Sequence, residues 1–455
     1  MTTQVIEGAH IYTGDADGNE FSSGYVVMQG NRISAVGSGP APAGLTAART
    51  INGSGCLVTP GLVNTHHHLY QWLTRGFAVD GTLFEWLTTL YPVWGRLDSD
   101  MVRTAASGAL SRLAKTGCTT TTDHHYLFPH GSGDVLAGTI DAARAVGLRF
   151  HPTRGSMDLG QSQGGLPPDS VVEDIDTILA ATESAIEIYH DPSPASMLRI
   201  GVAPCSPFSV TGGLLAQAAE LARSKDVRLH THLAETLDEE DYCREHFRCT
   251  PVEYVESLGW LADDVWFAHA VHLDDSSIKM LAASGASVAH CPSSNARLGA
   301  GIARTRDLLD AGVTVGLGVD GAASNEASAL LEEVRHAVLF ARARGGPRAL
   351  TVRDGLDMAT MGGARALGRQ DEIGSLEAGK LADVAVWRLD TLAHVDIADP
   401  VAALVLGVPP PLELLVVNGV PVVEQDRLVS VDEETMAREV KAASEKLLAR
   451  AGEAR

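Results

Sequence analysis

Cysteine is scarce in this chain, at six of 455 residues, and no two cysteines form a C-x-x-C pair. The six positions are widely scattered: Cys56, Cys118, Cys205, Cys243, Cys249 and Cys291. This scatter argues against a disulfide framework, because such frameworks belong to small, cysteine-rich secreted domains. We therefore expect reduced thiols and a cytoplasmic protein.

Basic residues and long apolar runs are also in short supply. The chain has 35 Lys and Arg against 57 Asp and Glu, a net charge of −22, which argues against nucleic acid or an anionic membrane as the main partner. The most apolar long stretch, residues 401–420, contains three consecutive prolines and Glu413, so it does not predict a membrane span. The N-terminus has no basic segment before an apolar run and is interrupted by Glu7, so we expect no signal peptide.

The chain does have enough apolar sequence for a large core. Hydrophobic residues make up 45% and charged residues 20%, which excludes global disorder. At 455 residues the chain can accommodate one (β/α)₈ barrel of about 250 residues or more together with a smaller domain.

Both ends of the chain are rich in short β-type runs separated by turns. Residues 25–28 and 414–419 are examples, and no apolar pattern of helical length precedes Pro60. Because chain ends often lie close together, we predict one small composite β-sandwich domain from residues 1–59 and 371–455, with a terminal helix in the second part.

The middle of the chain, residues 60–370, alternates strand-like and helical patterns. Eight apolar runs end in polar residues: 61–68, 118–123, 148–154, 198–204, 227–232, 265–269, 286–290 and 313–320. Near-continuous apolar strands joined by helices predict a parallel sheet covered on both faces. Eight such units favour an α/β fold with a distorted (β/α)₈ TIM-like barrel, whose active site lies at the C-terminal ends of the strands.

Two histidines end the first of these runs. In a strand, residues i and i+2 face the same way, so His66 and His68 can point together into the barrel while His67 points away. Two imidazoles so placed can chelate one divalent ion at about 2.0–2.1 Å per Zn–N bond. The alternative is a surface histidine cluster in a chain with 17 histidines.

The fifth run ends in a second polar group. His230 and His232 share a face, with His232 nearer the rim, and Glu235 follows in the loop. A carboxylate at a metal site is an expected proton carrier. Alternatively, both histidines are hydrogen-bonded core residues and Glu235 is an acid at a helix N-terminus; for His230 we favour the core interpretation.

The sixth and eighth runs end in His269 and Asp320. Taken alone, His269 is compatible with hydrogen-bonded packing, and Asp320 with a turn that caps the next helix. One barrel mouth would nevertheless bring together the ends of runs one, five, six and eight. This joint placement predicts a metal site.

With these residues in place, the chain resembles the amidohydrolase superfamily, specifically its metal-dependent purine, pterin and triazine deaminases. The matching segments extend over almost the full length: 60–68, 232–235, His269, Asp320 with 324–325, and 374–383. The resemblance implies one Zn²⁺ per chain, with Fe²⁺ as the alternative, held by four ligands: His66, His68, His232 and Asp320. It also implies a homo-oligomer.

The resemblance further implies a mononuclear site. Many relatives hold two metals bridged by a carboxylated lysine on strand four, but residues 198–205 contain no lysine. The implied catalytic residues are three. Asp320 would accept the proton of the attacking water, Glu235 would protonate a ring nitrogen, and His269 would hydrogen-bond the oxygen that forms.

Residues 63–77 and 84–87 resemble the 8-oxoguanine deaminases most closely. The implied reaction is hydrolytic deamination of 8-oxoguanine to urate and ammonia, with guanine, isoxanthopterin, or amine or chloride removal from an s-triazine as alternatives. The implied substrate contacts are Gln71, Trp86, Arg154, Cys205 and His269. Trp86 could instead be an ordinary core residue. The non-enzymatic alternative is a metal-binding scaffold that works by assembly.

Overall fold

The computed structural model describes residues 2–453, within which the chain forms a closed eight-stranded barrel and a separate nine-stranded sheet. The strands are β1 (Thr3–Tyr12), β2 (Glu20–Gln29), β3 (Arg32–Ser38), β4 (Arg49–Asn52), β5 (Cys56–Pro60), β6 (Leu62–Asn64), β7 (Cys118–His125), β8 (Arg149–Ser156), β9 (Gly201–Pro204), β10 (Leu229–Leu233), β11 (Val265–His269), β12 (Ser287–His290), β13 (Val315–Leu317), β14 (Val384–Arg388), β15 (Leu412–Val417), β16 (Val420–Glu424) and β17 (Arg427–Leu428).

Helices connect and cover these strands. They are α1 (Leu83–Trp94), α2 (Ser99–Lys115), α3 (Val135–Val146), α4 (Ile175–Tyr189), α5 (Gly212–Ser224), α6 (Leu237–Phe247), α7 (Pro251–Ser257), α8 (Asp275–Ser284), α9 (Pro292–Arg297), α10 (Thr305–Asp310), α11 (Leu330–Gly345), α12 (Val352–Asp357), α13 (Gly363–Ala366), α14 (Pro400–Leu406) and α15 (Glu433–Glu453). A 3₁₀ helix, Leu69–Thr74, follows β6, and one π-helical turn, Met358–Gly362, lies between α12 and α13.

The barrel contains strands β6 to β13 in chain order, all parallel, and it closes where Leu317 of β13 pairs with Asn64 of β6. Its strands are buried at every position, as expected for a parallel sheet covered by helices. The predicted barrel of eight βα units is therefore confirmed. One detail differs, because β6 ends at Asn64 and the chain then turns into the 3₁₀ helix. His66 and His68 consequently lie just beyond the strand.

The nine-stranded sheet is built from both ends of the chain, which confirms the predicted composite β domain. Its order is β17-β16-β15-β14-β5-β1-β2-β3, with β4 also paired to β1. The N- and C-terminal parts join where β5 and β14 run antiparallel, with Val58 opposite Val386. Both valines lie in a separate apolar core of this sheet.

A buried ion pair connects the two domains. Arg149 at the start of β8 donates from Nη2 to Asp383 Oδ1 at 3.1 Å and from Nε to Oδ2 at 3.2 Å. Asp383 immediately precedes β14 and also accepts a bond from the backbone N–H of Asn418. Three segments far apart in sequence therefore meet at one carboxylate.

Two helices outside the βα repeat matter for the sites described below. Helix α1 starts with a capping box between Thr82 and Glu85 and presents a buried apolar face to the barrel mouth. Helix α15 is the predicted terminal helix, and it packs across α2 and the 3₁₀ helix. Within residues 2–453, no helix combines the length and the apolar character needed to cross a bilayer.

Candidate active site

Histidine and aspartate side chains converge at the C-terminal end of the barrel. His68 Nε2 lies 3.2 Å from His232 Nε2 and 3.3 Å from Asp320 Oδ1, and His66 Nε2 lies 3.4 Å from the same oxygen. All four side chains are buried. The structure therefore brings together the four residues that the sequence predicts as metal ligands.

The hydrogen bonds behind His68 and His232 fix their tautomers. His68 Nδ1 lies 2.7 Å from the His124 carbonyl oxygen, and His232 Nδ1 lies 2.6 Å from that of Cys205. Because a carbonyl oxygen only accepts, each Nδ1 carries the proton and each Nε2 of the neutral ring presents a lone pair. Two lone pairs facing each other at 3.2 Å repel unless a cation lies near both. This donor set fits a metal ion.

His66 is oriented through a second histidine. Its Nδ1 lies 2.8 Å from His230 Nε2, and His230 Nδ1 lies 2.7 Å from the Trp266 carbonyl oxygen. His230 must therefore donate to Trp266 and accept from His66, which leaves a lone pair on His66 Nε2. That buried atom has no hydrogen-bond partner within residues 2–453. The core interpretation of His230 agrees with its position, but it missed this link to His66.

Burial and neighbouring charges determine the charge states of the proposed metal ligands. Burial lowers the pKa of His66 and of His232 well below the usual value, so both imidazoles are neutral, as metal binding requires. Burial alone would raise the pKa of Asp320, but its contact with His66 and the charge of His269 outweigh this effect and lower the pKa well below the usual range. The site therefore combines neutral nitrogens with a carboxylate.

Asp320 is held in an unusual backbone conformation, with φ at 60°. Its Oδ2 accepts a bond from Ser294 Oγ at 2.5 Å, and its Oδ1 accepts from the Gly321 N–H at 2.7 Å. Such a strained conformation persists only where the surroundings hold it, and it is common at functional sites. Sequence reasoning did not identify Ser294.

Glu235 and His269 face each other beside the four proposed metal ligands, with Glu235 Oε1 3.7 Å from His269 Nε2. Burial raises the pKa of Glu235 to about 7. Burial opposes protonation of His269, but the Glu235 and Asp320 carboxylates outweigh it and raise the pKa of His269. On its other side, His269 Nδ1 lies 2.9 Å from Asn295 Oδ1. Both groups therefore bind a proton more tightly than they would in water.

A small cavity of about 30 Å³ lies next to these groups. That volume accommodates about one water molecule. His68, His232, Glu235, His269 and Asp320 form part of its wall. The rest of the wall is mainly apolar and aromatic: Gln71, Leu83, Trp86, Leu87, Tyr91, Tyr126, Cys205, Ser206, Phe208 and Leu298. Helix α1 supplies four of them. The long segment after β8, which contains many glycines, contributes none.

Four of the five predicted substrate contacts, Gln71, Trp86, Cys205 and His269, line this cavity. Both polar atoms of the Gln71 amide are buried without a partner in the described chain, so the amide is free to bind a ligand. It lies close to the loop after β13, since a Cβ on Gly321 would come within 1.8 Å of Gln71 Oε1. Trp86 is fixed by a 3.1 Å bond from its Nε1 to the Ala323 carbonyl.

Arg154, the other predicted contact, does not line the cavity. Its Nη2 donates to Glu173 Oε1 at 2.8 Å and its Nη1 to the Gly155 carbonyl at 2.7 Å. The guanidinium also lies 3.7 Å from the centre of the Phe128 ring. These contacts point Arg154 away from the mouth and toward the following loop.

Sequence reasoning missed three aromatic groups near the site. Tyr126 follows β7 and meets the His68 ring edge to face at 5.1 Å between centroids. His124 stacks on His232 at 4.7 Å. Tyr91 reaches the cavity from α1. The run of polar residues at the end of β7 could have indicated Tyr126 and His124. The place of Tyr91 depends instead on how α1 docks.

The family model described as the amidohydrolase family matches residues 57–421. An 8-oxoguanine deaminase of Pseudomonas aeruginosa is 46% identical over 409 residues, which cover 89% of this chain and 90% of that protein. An isoxanthopterin deaminase of an unknown prokaryotic organism is 36% identical over 442 residues, covering 92% of this chain and 91% of that protein.

The fold of this chain is also similar to that of a solved structure. The atrazine chlorohydrolase of Arthrobacter aurescens TC1 complexed with zinc superposes with a TM-score of 0.92 at 36% identity, covering 97% of this chain and 100% of that one. Fold, family match and a buried His/Asp group able to bind a metal agree throughout. The chain belongs to the amidohydrolase family.

Proposed function

We propose that this chain is a metal-dependent aminohydrolase that converts 8-oxoguanine to urate and ammonia. The observation that carries the proposal is that the Nε2 lone pairs of His66, His68 and His232 meet next to the Asp320 carboxylate. Beside them lies the amide of Gln71, which has no hydrogen-bond partner among residues 2–453. The 46% identity to an 8-oxoguanine deaminase supports the choice of substrate.

We propose that His66, His68, His232 and Asp320 would hold one Zn²⁺. Three imidazole nitrogens and one carboxylate oxygen are donors that zinc accepts, and Fe²⁺ is the alternative. When bound, such a cation acts as a Lewis acid that lowers the pKa of water from 15.7 to about 7.

The protein's own residues would handle the protons. Asp320 is ionised, so it can accept the proton of the attacking water. Glu235 is buried and retains its proton close to neutral pH, so it can donate to the ring nitrogen next to the attacked carbon. His269 lies beside Glu235 and can donate a hydrogen bond to the new oxygen.

These transfers balance the reaction. The ring carbon gains a bond to the oxygen of water and loses its bond to the exocyclic nitrogen. The proton held by Asp320 moves to that nitrogen, which leaves as ammonia, and the proton of the new hydroxyl returns to Glu235 as the carbonyl forms. Without the Glu235 proton, attack would leave an uncompensated anion on the ring.

The cavity walls suit a planar heterocycle. Gln71 offers one acceptor and two donors with no partner in the described chain, which matches the alternating donors and acceptors of a purine edge. Trp86 offers a ring for stacking. Arg154 is not part of this proposal because Glu173 and Phe128 hold it elsewhere.

The test is a release assay on zinc-loaded protein. Ammonia is measured with 8-oxoguanine, guanine, isoxanthopterin and amino-s-triazines, and chloride with a chloro-s-triazine. We expect kcat/KM for 8-oxoguanine to exceed the others by about tenfold or more. A higher value for a triazine would favour the second candidate, a triazine hydrolase, which the structural match to atrazine chlorohydrolase supports. One bound zinc with no release from any compound would favour the scaffold.

A further inference from the structure

A second, larger cleft lies on the flank of the barrel between α2, α15 and the 3₁₀ helix Leu69–Thr74. Its volume is about 520 Å³, which falls within the range of about 300–1,000 Å³ typical of small-molecule sites. None of its lining residues belongs to the catalytic group described above. We call it the flank cleft.

The flank cleft is basic in an acidic protein. Arg75, Arg112, Lys115 and Lys441 line it against only Glu433 and Glu445, while the whole chain carries a net charge of −22. Clefts lined by charge of one sign concentrate ligands of the opposite sign. The balance of charges therefore favours an anion.

Arg75 is the least compensated of these cations. Its guanidinium lies 3.8 Å from the centre of the Trp72 ring, and within residues 2–453 it forms no ion pair. Lys115, in contrast, contacts Glu433 at 3.0 Å. Burial and the neighbouring charge of Arg112 lower the pKa of Arg75, and the charge of Glu326 offsets this effect only in part.

The rest of the wall is apolar, with one unused polar group. Leu73, Met436 and Val440 provide apolar surface on facing sides of the cleft. Ser111, which is 7% exposed, also lines it, and its buried Oγ has no hydrogen-bond partner in the described chain. An unpaired buried hydroxyl normally finds a partner, either in the protein or in a bound molecule.

We propose that the flank cleft binds a small organic anion with an apolar body. Its carboxylate, sulfonate or phosphate would meet Arg75, and its apolar part would pack against Met436 and Val440 of α15. A free inorganic anion would leave that apolar wall uncovered.

Two walls of the flank cleft are connected to segments that carry residues of the active site. Trp72 and Leu73 lie in the same 3₁₀ helix as Gln71, and Ser444 of α15 donates to the Leu73 carbonyl at 2.7 Å. Arg112 donates from Nε to the Ala327 carbonyl at 3.0 Å, in the loop that follows Asp320. A bound anion would therefore contact the 3₁₀ helix directly and the loop after Asp320 through Arg112, and we expect it to change KM for the purine.

The experiment uses 8-anilinonaphthalene-1-sulfonate as the anionic probe and its uncharged analogue N-phenyl-1-naphthylamine, with inorganic phosphate as a third ligand. Binding to zinc-loaded protein is measured by isothermal titration calorimetry. Ala437→Trp fills the cleft from an exposed position of α15, and Ala442→Trp adds the same bulk to an exposed position of α15 outside it. Arg75→Gln removes the unpaired charge.

We expect one sulfonate site per chain, with affinity lowered about tenfold or more by Ala437→Trp, severalfold by Arg75→Gln and not by Ala442→Trp. The uncharged analogue and phosphate should bind more weakly. Sulfonate binding that Ala437→Trp leaves unchanged would overturn the site, as would equal affinity for the uncharged analogue.

Sedimentation velocity tests the alternative that a second copy of the chain occupies the flank cleft. If Ala437→Trp alone dissociates an oligomer, the cleft is an interface and the ligand proposal fails.

The binding data do not depend on the proposed deamination. A KM that changes by about fivefold with the probe in the wild type, but not in Ala437→Trp, would support the coupling, and an unchanged KM would refute it.

Discussion

His66 Nδ1 and His230 Nε2 lie 2.8 Å apart, so one buried imidazole holds another in the tautomer that a metal needs. His230 lies deeper in the barrel than His66, and its Nδ1 donates to the Trp266 carbonyl. It is a positioning residue, and its partner His66 is the proposed ligand.

Replacing His230 should therefore weaken metal binding without removing a ligand. We expect His230→Ala to lower zinc affinity by about 10–100-fold, as is typical for the groups that orient metal ligands. His230→Gln should recover part of the loss, because its amide oxygen can accept the His66 proton. Zinc competition with a coloured chelator measures both. An unchanged affinity in His230→Ala would show that His66 needs no such partner.

Replacing His232 should remove a ligand altogether. We expect His232→Ala to lose the metal during purification, because three donors hold zinc far less tightly than four in this site. Metal per chain is measured by inductively coupled plasma mass spectrometry. His246→Ala, at an exposed position, is the matched control. Full stoichiometry in His232→Ala would reassign that ligand, with His230 and His124 as the next nitrogens to test.

Glu235→Gln should separate chemistry from metal binding. The amide keeps the size of the side chain but cannot donate the carboxylic proton, so we expect kcat to fall by about 10²–10⁴-fold. Zinc content should stay at the wild-type level. Glu245→Gln, exposed on α6, controls for the loss of an acid. Full activity in Glu235→Gln would exclude Glu235 as the proton donor.

Glu239 holds the turn that presents Glu235. Its two oxygens accept bonds from the backbone N–H groups of Ala234 at 2.8 Å and Glu235 at 3.2 Å, in a turn where Ala234 has φ of 51°. Glu239→Gln can satisfy only one of these donors, at a cost of about 1–3 kcal/mol. We expect kcat to fall while zinc content and KM stay close to wild type. A loss of stability with unchanged kcat would make the role purely structural.

Glu333 should make stability depend on pH. Burial raises its pKa from 4.5 to about 8, although it accepts bonds from the Ser293 N–H and from Asn325, with His336 on the far side of Ser293. The folded protein therefore binds this proton more tightly than the unfolded chain. The resulting stabilisation is present below pH 4.5 and is lost as the pH rises through about 8.

Glu333→Gln removes that titration. Thermal unfolding of wild type and variant from about pH 5 to pH 9 should show the wild type losing stability relative to the variant as the pH rises. Parallel curves would mean that Glu333 does not titrate in this interval.

The barrel was predictable because each strand combines an apolar run with a polar end, and the chain order equals the strand order. A metal site was predictable because His232 lies in a strand while His66, His68 and Asp320 follow strand ends closely, and the resemblance to the amidohydrolases then implied these four as the ligands. Arg154 illustrates the limit. It lies near the end of β8, but its long side chain turns to Glu173, nineteen residues later. No sequence pattern marks that pairing.

The aromatic wall of the cavity shows the second limit. Tyr91 and Trp86 reach it only because α1 docks over the barrel mouth, with Trp86 Nε1 bonded to the Ala323 carbonyl. The contact of His230 with His66 was missed for a related reason. A buried histidine looks the same in sequence whether its ring bonds a carbonyl alone or also orients a neighbouring imidazole.

The small volume of the cavity bears on the access of substrate. A space of about 30 Å³ is smaller than a bicyclic heterocycle, so we expect α1, which supplies four residues of its wall, to move aside when substrate enters and product leaves. Such displacements occur over microseconds to milliseconds and often limit turnover. We expect the bond from Trp86 Nε1 to the Ala323 carbonyl to oppose this movement of α1.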